Sequence, residues 1–91
     1  MKQIVVVCGM GLGSSFYVEL NIRDILEKYG VQNEYEVSHQ ALYEADWDMA
    51  DYIVTGRDLE ESVPEGKTRI TLEKIIEKDE MEQKIVQTLS L

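Results

Sequence analysis

Residues Gln3–Val7 read QIVVV, an apolar run dominated by β-branched side chains. A run without a polar face predicts a strand buried on both sides. From Ser15 the period changes. Val18, Ile22, Ile25, Leu26 and Tyr29 recur at spacings of three and four, which puts them on one face of a helix. Ser14 or Ser15 can cap its start, Lys28 suits its negative end, and Gly30 supplies a stop. Val31–Val37 alternates, with Tyr35 and Val37 on one side and Glu34 and Glu36 on the other, and reads as an edge strand. The stretch from His39 to Met49 predicts a short helix or loop that sets Leu42 and Trp47 on the core. Asp51–Gly56 predicts a second buried strand. Gly56–Gly66, which holds Pro64, predicts a loop with a helical turn, and Lys67–Thr71 a short fourth strand. A final helix begins near Asp79 and turns Met81, Ile85, Val86 and Leu89 inward.

Strands that alternate with helices imply an α/β fold, here a small three-layer sandwich with a four-stranded parallel sheet and helices on both faces. Right-handed crossovers place the first strand centrally, in the order 2-1-3-4. Ligands of such sheets bind beyond the carboxyl ends of the strands, where the order reverses. That switch lies between the first and third strands. The sequence CGMGLGSS, Cys8–Ser15, falls on it, with Thr55–Asp58 beside it.

Composition narrows the partners. The 91 residues read as a single domain, 1–91, with one modest core. A net charge of −9 argues against nucleic acid and against an anionic membrane surface. The one cysteine, Cys8, excludes an internal disulfide and suggests a cytosolic home. With one cysteine and one histidine, no metal site is expected. No segment has the ~20 apolar residues of a membrane span.

The loop after the first strand holds a thiol, three alternate glycines and two serines. A glycine-rich turn that feeds a helix N-terminus aims backbone N–H groups at one spot, and the helix dipole favours negative charge there. Cys8 is the candidate nucleophile. Gly9, Met10, Gly11, Leu12, Gly13, Ser14 and Ser15 are the candidate phosphate cradle, whose field would stabilise a thiolate. The plainer alternative is a buried core cysteine followed by a tight turn.

Other anion loops fit less well. No lysine lies between Lys2 and Lys28, which excludes a P-loop, and Ser14 stands where a dinucleotide fingerprint needs its third glycine. A low-molecular-weight phosphatase loop, C-x5-R-[ST], would place arginine at Ser14, and Ser15 matches its last position. The clamping arginine is absent. An Asp-Pro general acid is absent as well, since Pro64 follows Val63. A phosphocysteine here would gain little help in reacting with water, which suggests a group held and passed on.

The strand–VCGMGLGSS–helix opening, the length and the ADYIVTG segment at Ala50–Gly56 resemble the enzyme IIB components of the bacterial sugar phosphotransferase system. The likeness is to the ascorbate- and galactitol-type branch, within the wider lactose/cellobiose-like group. It covers the whole layout, with a specific motif over about residues 3 to 20. The resemblance implies a phosphoryl carrier that needs no cofactor. Its phosphorylated cysteine would be Cys8, its donor a phosphohistidine on a IIA component, and its acceptor a sugar bound by a IIC membrane permease. It also implies a cytoplasmic protein that reaches the inner face of the membrane through its permease.

Few residues outside the loop attract a role. His39, behind an edge strand, is expected to be exposed and idle. Arg57 could screen a phosphate, meet a partner, or simply pair with Asp58 as a solvated loop charge. Met10 and Leu12 would face a partner or lie under the loop. No large apolar stripe is left over, so the isolated chain reads as a monomer. Two alternatives to the carrier stand: a small cysteine-dependent phosphatase or arsenate-reductase-like enzyme, and a non-catalytic anion-binding regulatory domain.

Overall fold

The N-terminal β-branched run becomes β1, Lys2–Cys8, and Ile4–Val7 are all buried. The structure is a computed structural model, and it describes residues 1–9, 13–74 and 77–91, without the side chain of Ser14. The chain continues through α1 (Gly13–Lys28), β2 (Tyr35–Ala41), two 3₁₀ segments (Leu42–Glu44 and Trp47–Met49) and β3 (Tyr52–Gly56). A third 3₁₀ segment (Arg57–Ser62), β4 (Thr68–Leu72) and α2 (Lys78–Leu89) complete it. The four strands are all parallel and lie in the predicted order, β2-β1-β3-β4. Among the described residues, no helix is long and apolar enough to cross a membrane.

Alternation along the strands divides the core. Ile4 and Val6 of β1 and Val54 of β3 join Val18, Ile22, Ile25 and Leu26 of α1 and Met81, Ile85 and Leu89 of α2 in one large cluster. Val5, Val7 and Ile53 point the other way, into a smaller cluster with Ala50 and Val63, flanked by Leu42, Ala45 and Trp47. The three layers are therefore unequal. Both α-helices pack on one face, and the helical cover of the other is 3₁₀.

Three positions depart from what the pattern suggests. β2 starts at Tyr35, four residues beyond the expected Val31. Gly30 ends α1 with φ 72°, its N–H donates to the Glu27 carbonyl at 3.0 Å, and Val31 N–H donates to that of Leu26 at 2.9 Å. This paired closure uses Val31 as the apolar residue of the helix cap, so its side chain packs on the core without being strand. Tyr29 does not face the core. It is exposed, and its hydroxyl donates to Glu82 at 2.9 Å beside Lys28, whose ammonium donates to the same oxygen at 2.8 Å. Val86 of α2 is only half-buried, whereas Met81, Ile85 and Leu89 are buried.

One carboxylate ties the first turn of α2 to the end of β4. Glu80 accepts the backbone N–H groups of Glu73 at 2.7 Å and Lys74 at 2.9 Å and pairs with Lys84 at 3.0 Å. Burial pushes its pKa up, but the two amides and the lysine outweigh this and bring it from 4.5 down to about 2. A depressed carboxylate adds stability that is full above its unfolded pKa and is lost as pH falls through the folded one. Glu80→Ala is expected to lower stability by about 2 kcal/mol at neutral pH, with the gap to wild type closing from about pH 5 towards pH 2. Urea melts across that range check it, and a gap that does not change with pH contradicts the assignment.

Candidate active site

β1 delivers Cys8 to the carboxyl edge of the sheet, where strand order reverses between β1 and β3. A cavity of about 160 Å³ opens there, lined by Cys8, Gly9, Ser15, Thr55, Gly56 and Asp58 among polar and small residues. Val6, Val7, Val18, Val54, Leu59 and Leu72 form its apolar floor and walls. That is ample for a phosphoryl-sized group with water. Cys8 is half-buried, and its thiol donates to Ser15 Oγ at 3.4 Å.

α1 begins at Gly13, two residues before the expected Ser15. Ser15 therefore lies within the first helical turn. It is buried, with its hydroxyl turned to the sulfur, so it is a partner of Cys8 and not a helix cap. The first three residues of a helix carry N–H groups without intrahelical acceptors, and α1 brings those of Gly13, Ser14 and Ser15 to this edge. Met10, Gly11 and Leu12 lie outside the described residues, as does the side chain of Ser14. A Cβ built on Gly9 would meet only Leu59, at 3.9 Å, so no clash demands glycine there. Among the described glycines, positive φ occurs at Gly30 and Gly66, both remote from this site.

Thr55 is the site residue least visible to motif reasoning. It lines the cavity, it is buried, and its Oγ1 has no hydrogen-bond partner among the described residues. A buried hydroxyl without a partner is costly unless a ligand or water completes it. Strand alternation sends Cys8 and Thr55 to opposite faces, so this hydroxyl suits a group that extends over the edge of the sheet, not the sulfur itself. Arg57 does not line the cavity. Its guanidinium makes a two-pronged pair with Glu73, one contact at 2.8 Å, and its pKa is raised by that hydrogen bond and charge. Asp58 lines the cavity instead, and Arg57 pairs with Glu73, not with Asp58.

His39 is also not where it was expected. It lies within β2, half-buried, with Nδ1 bound to Glu19 and its ring edge-on to Phe16 at 5.6 Å. The four-residue shift of β2 put it there.

The family model described as PTS system, Lactose/Cellobiose specific IIB subunit matches residues 3–87. The chain belongs to this family. No curated protein matches it significantly. As a IIB domain it is a component of the sugar phosphotransferase system, with a role in phosphoryl transfer, and IIB domains work with IIA and IIC partners.

Within this IIB domain, Ser15 can serve the sulfur in either charge state. Its oxygen accepts from the thiol, and its own proton can turn to a thiolate. Ser15→Ala is expected to slow alkylation of Cys8 by a neutral reagent about tenfold near neutral pH, with little change in melting temperature. An unchanged alkylation rate would show that the serine gives the sulfur no help.

Proposed function

We propose that this IIB domain is a phosphoryl carrier that accepts phosphate on Cys8 from a IIA phosphohistidine and passes it to a sugar held by a IIC permease. The observation that carries the proposal is the convergence at one cavity of the Cys8 sulfur, the first turn of α1 and the Ser15 hydroxyl. In the transfer, the sulfur forms a bond to phosphorus as the bond to the donor nitrogen breaks. The product carries roughly two negative charges, by analogy with phosphate esters. Helix amides and the hydroxyls of Ser15 and Thr55 are the groups available to its oxygens, with the backbone of residues 9–15 as the cradle. The exposed apolar side chains Phe16 and Leu20, on the first two turns of α1, give a partner an apolar footing on this helix.

Asp58 at the cavity supplies an observation in favour of the phosphatase alternative, since a carboxylate could act as general acid. Ser14 in place of a clamping arginine weighs against it, because no fixed cation offsets charge in the transition state of water attack. The resemblance to the ascorbate- and galactitol-type branch suggests a sugar of that kind, while the family's own description names lactose and cellobiose.

The test is reconstitution. The general phosphotransferase proteins, phosphoenolpyruvate and IIA components of both sugar classes are added in turn, and the chain is analysed by mass spectrometry. One phosphoryl group on Cys8, stable until an acceptor is supplied, is the expected result. Turnover of a phosphatase substrate without any partner would replace the carrier by the hydrolase.

A further inference from the structure

Three polar side chains stand one turn apart on α1, and each engages a different point of the β1–β2 pair. Ser15 meets the Cys8 sulfur, Glu19 binds Nδ1 of His39, and Arg23 donates to the Val37 carbonyl. The sheet register pairs Cys8 with Ala41 and Val6 with His39. Cys8 and His39 thus sit on the helix-covered face, on neighbouring strands and two residues apart in register. Ser15 lies over one and Glu19 over the other.

Glu19 occupies a position where packing alone would select an apolar residue. It is only 7% exposed and lies beside the core positions Val18 and Ile22. A buried carboxylate persists only when paired and hydrogen-bonded. Arg23 supplies contacts at 3.0 and 2.9 Å to one oxygen, and His39 holds the other. The charged groups that α1 turns towards His39 are Glu19 and, through it, Arg23. The same face of β1 presents Ile4, Val6 and Cys8. His39 is not among the residues lining the Cys8 cavity, so an effect on the sulfur must pass through the helix.

We propose that His39 is a positioning residue for phosphoryl transfer at Cys8. By binding Glu19 it holds α1 where Ser15 meets the sulfur and where the first-turn amides face the cavity. The inference rests on the carrier reading. A neutral imidazole still donates its Nδ1 proton to the carboxylate, so the clamp survives loss of the histidine's charge. The useful property is the donor at Nδ1, not ionisation.

His39→Leu keeps an apolar contact for Phe16 and removes the donor, while His39→Asn places an amide nitrogen near the position of Nδ1. With the reconstituted donor chain, the Leu protein is expected to show kcat lowered about tenfold with the KM for the donor protein little changed, the scale on which groups that orient a reactive centre act. Alkylation of Cys8, which needs no partner, should slow in parallel. The Asn protein should recover both to within about threefold of wild type, with a pH profile parallel to it. A folded Leu protein that is labelled and alkylated at wild-type rates overturns the proposal. So does a folded Asn protein as slow as the Leu one, or one whose pH profile loses a limb, since that would make the proton itself the working part. If the Leu protein does not fold, the Asn protein decides by itself: rates within about threefold of wild type support the proposal, and rates lowered about tenfold overturn it. If wild type takes no label from any donor, the carrier reading fails, and the alkylation rates still decide whether His39 positions the helix.

Discussion

Cys8→Ser is expected to fold as wild type and to take up effectively no phosphoryl group, a loss of about three orders of magnitude or more in transfer rate. The substitution exchanges sulfur for oxygen at a half-buried position and leaves the cavity walls unchanged. Its hydroxyl can still find Ser15, so the local hydrogen bond survives and the melting temperature should move little. Nucleophilicity does not survive. A serine hydroxyl needs an adjacent base to be activated, whereas a thiol supplies a usable thiolate fraction near neutral pH. None of the described residues that line this cavity is a histidine or lysine, and Asp58 is the carboxylate among them. The measurement is intact-mass spectrometry of the chain after incubation with the donor proteins. Label that persists in Cys8→Ser and maps to His39 would remove the cysteine from the mechanism. It would also turn the Glu19–His39 pair from a clamp into the acceptor.

The parts of this molecule that depend on short-range pattern were legible in the sequence. QIVVV could only be a strand covered on both sides, and the change of period after Ser15 announced α1. The sheet order followed from alternation and handedness, and with it the position of Cys8 at the switch. What was not legible depends on tertiary partners. Val31 looks like the first residue of an alternating strand because it is apolar, but it closes a helix. His39 looks idle because the inward face of β2 carries a histidine where an apolar residue would have continued the alternation, and only Glu19 from a distant turn explains it. Arg57 and Asp58 are adjacent in sequence, yet one turns to Glu73 and the other to the cavity, a division decided by the 3₁₀ segment they begin. Thr55 could be placed beside the loop from topology, but its unpartnered hydroxyl is a fact of packing.

The unequal layers lead to the largest stability effect. Ile22→Ala is expected to lower stability by about 3–4 kcal/mol, within the range for removing a buried isoleucine side chain. A chain of this length has roughly 5–14 kcal/mol to lose. Ile22 is fully buried at the centre of the face where α1 meets β1, β2 and α2. The helix there has little freedom to fill a void, since Arg23 ties it to β2, Lys28 and Tyr29 tie it to Glu82 of α2, and the Gly30–Val31 closure fixes its end. The cavity should therefore stay open and add to the lost transfer free energy. Ile53 is equally buried but faces the thin layer, whose cover is short 3₁₀ segments of three to six residues. Such segments can settle inward, so Ile53→Ala is expected to fall nearer about 2 kcal/mol, at the lower limit of the same range. Leu20→Ala, at an exposed position on α1, should stay within about 0.5 kcal/mol of wild type and serves as the control. Thermal melts of the three proteins check the order. At about 4–8 °C per kcal/mol for a domain of this size, the Ile22 protein should melt more than 10 °C below wild type. If Ile53→Ala proves the more damaging, the 3₁₀ layer is the rigid one. The helices would then be the part that yields, and the seat of Ser15 over Cys8 would be less firmly held than its hydrogen bonds imply.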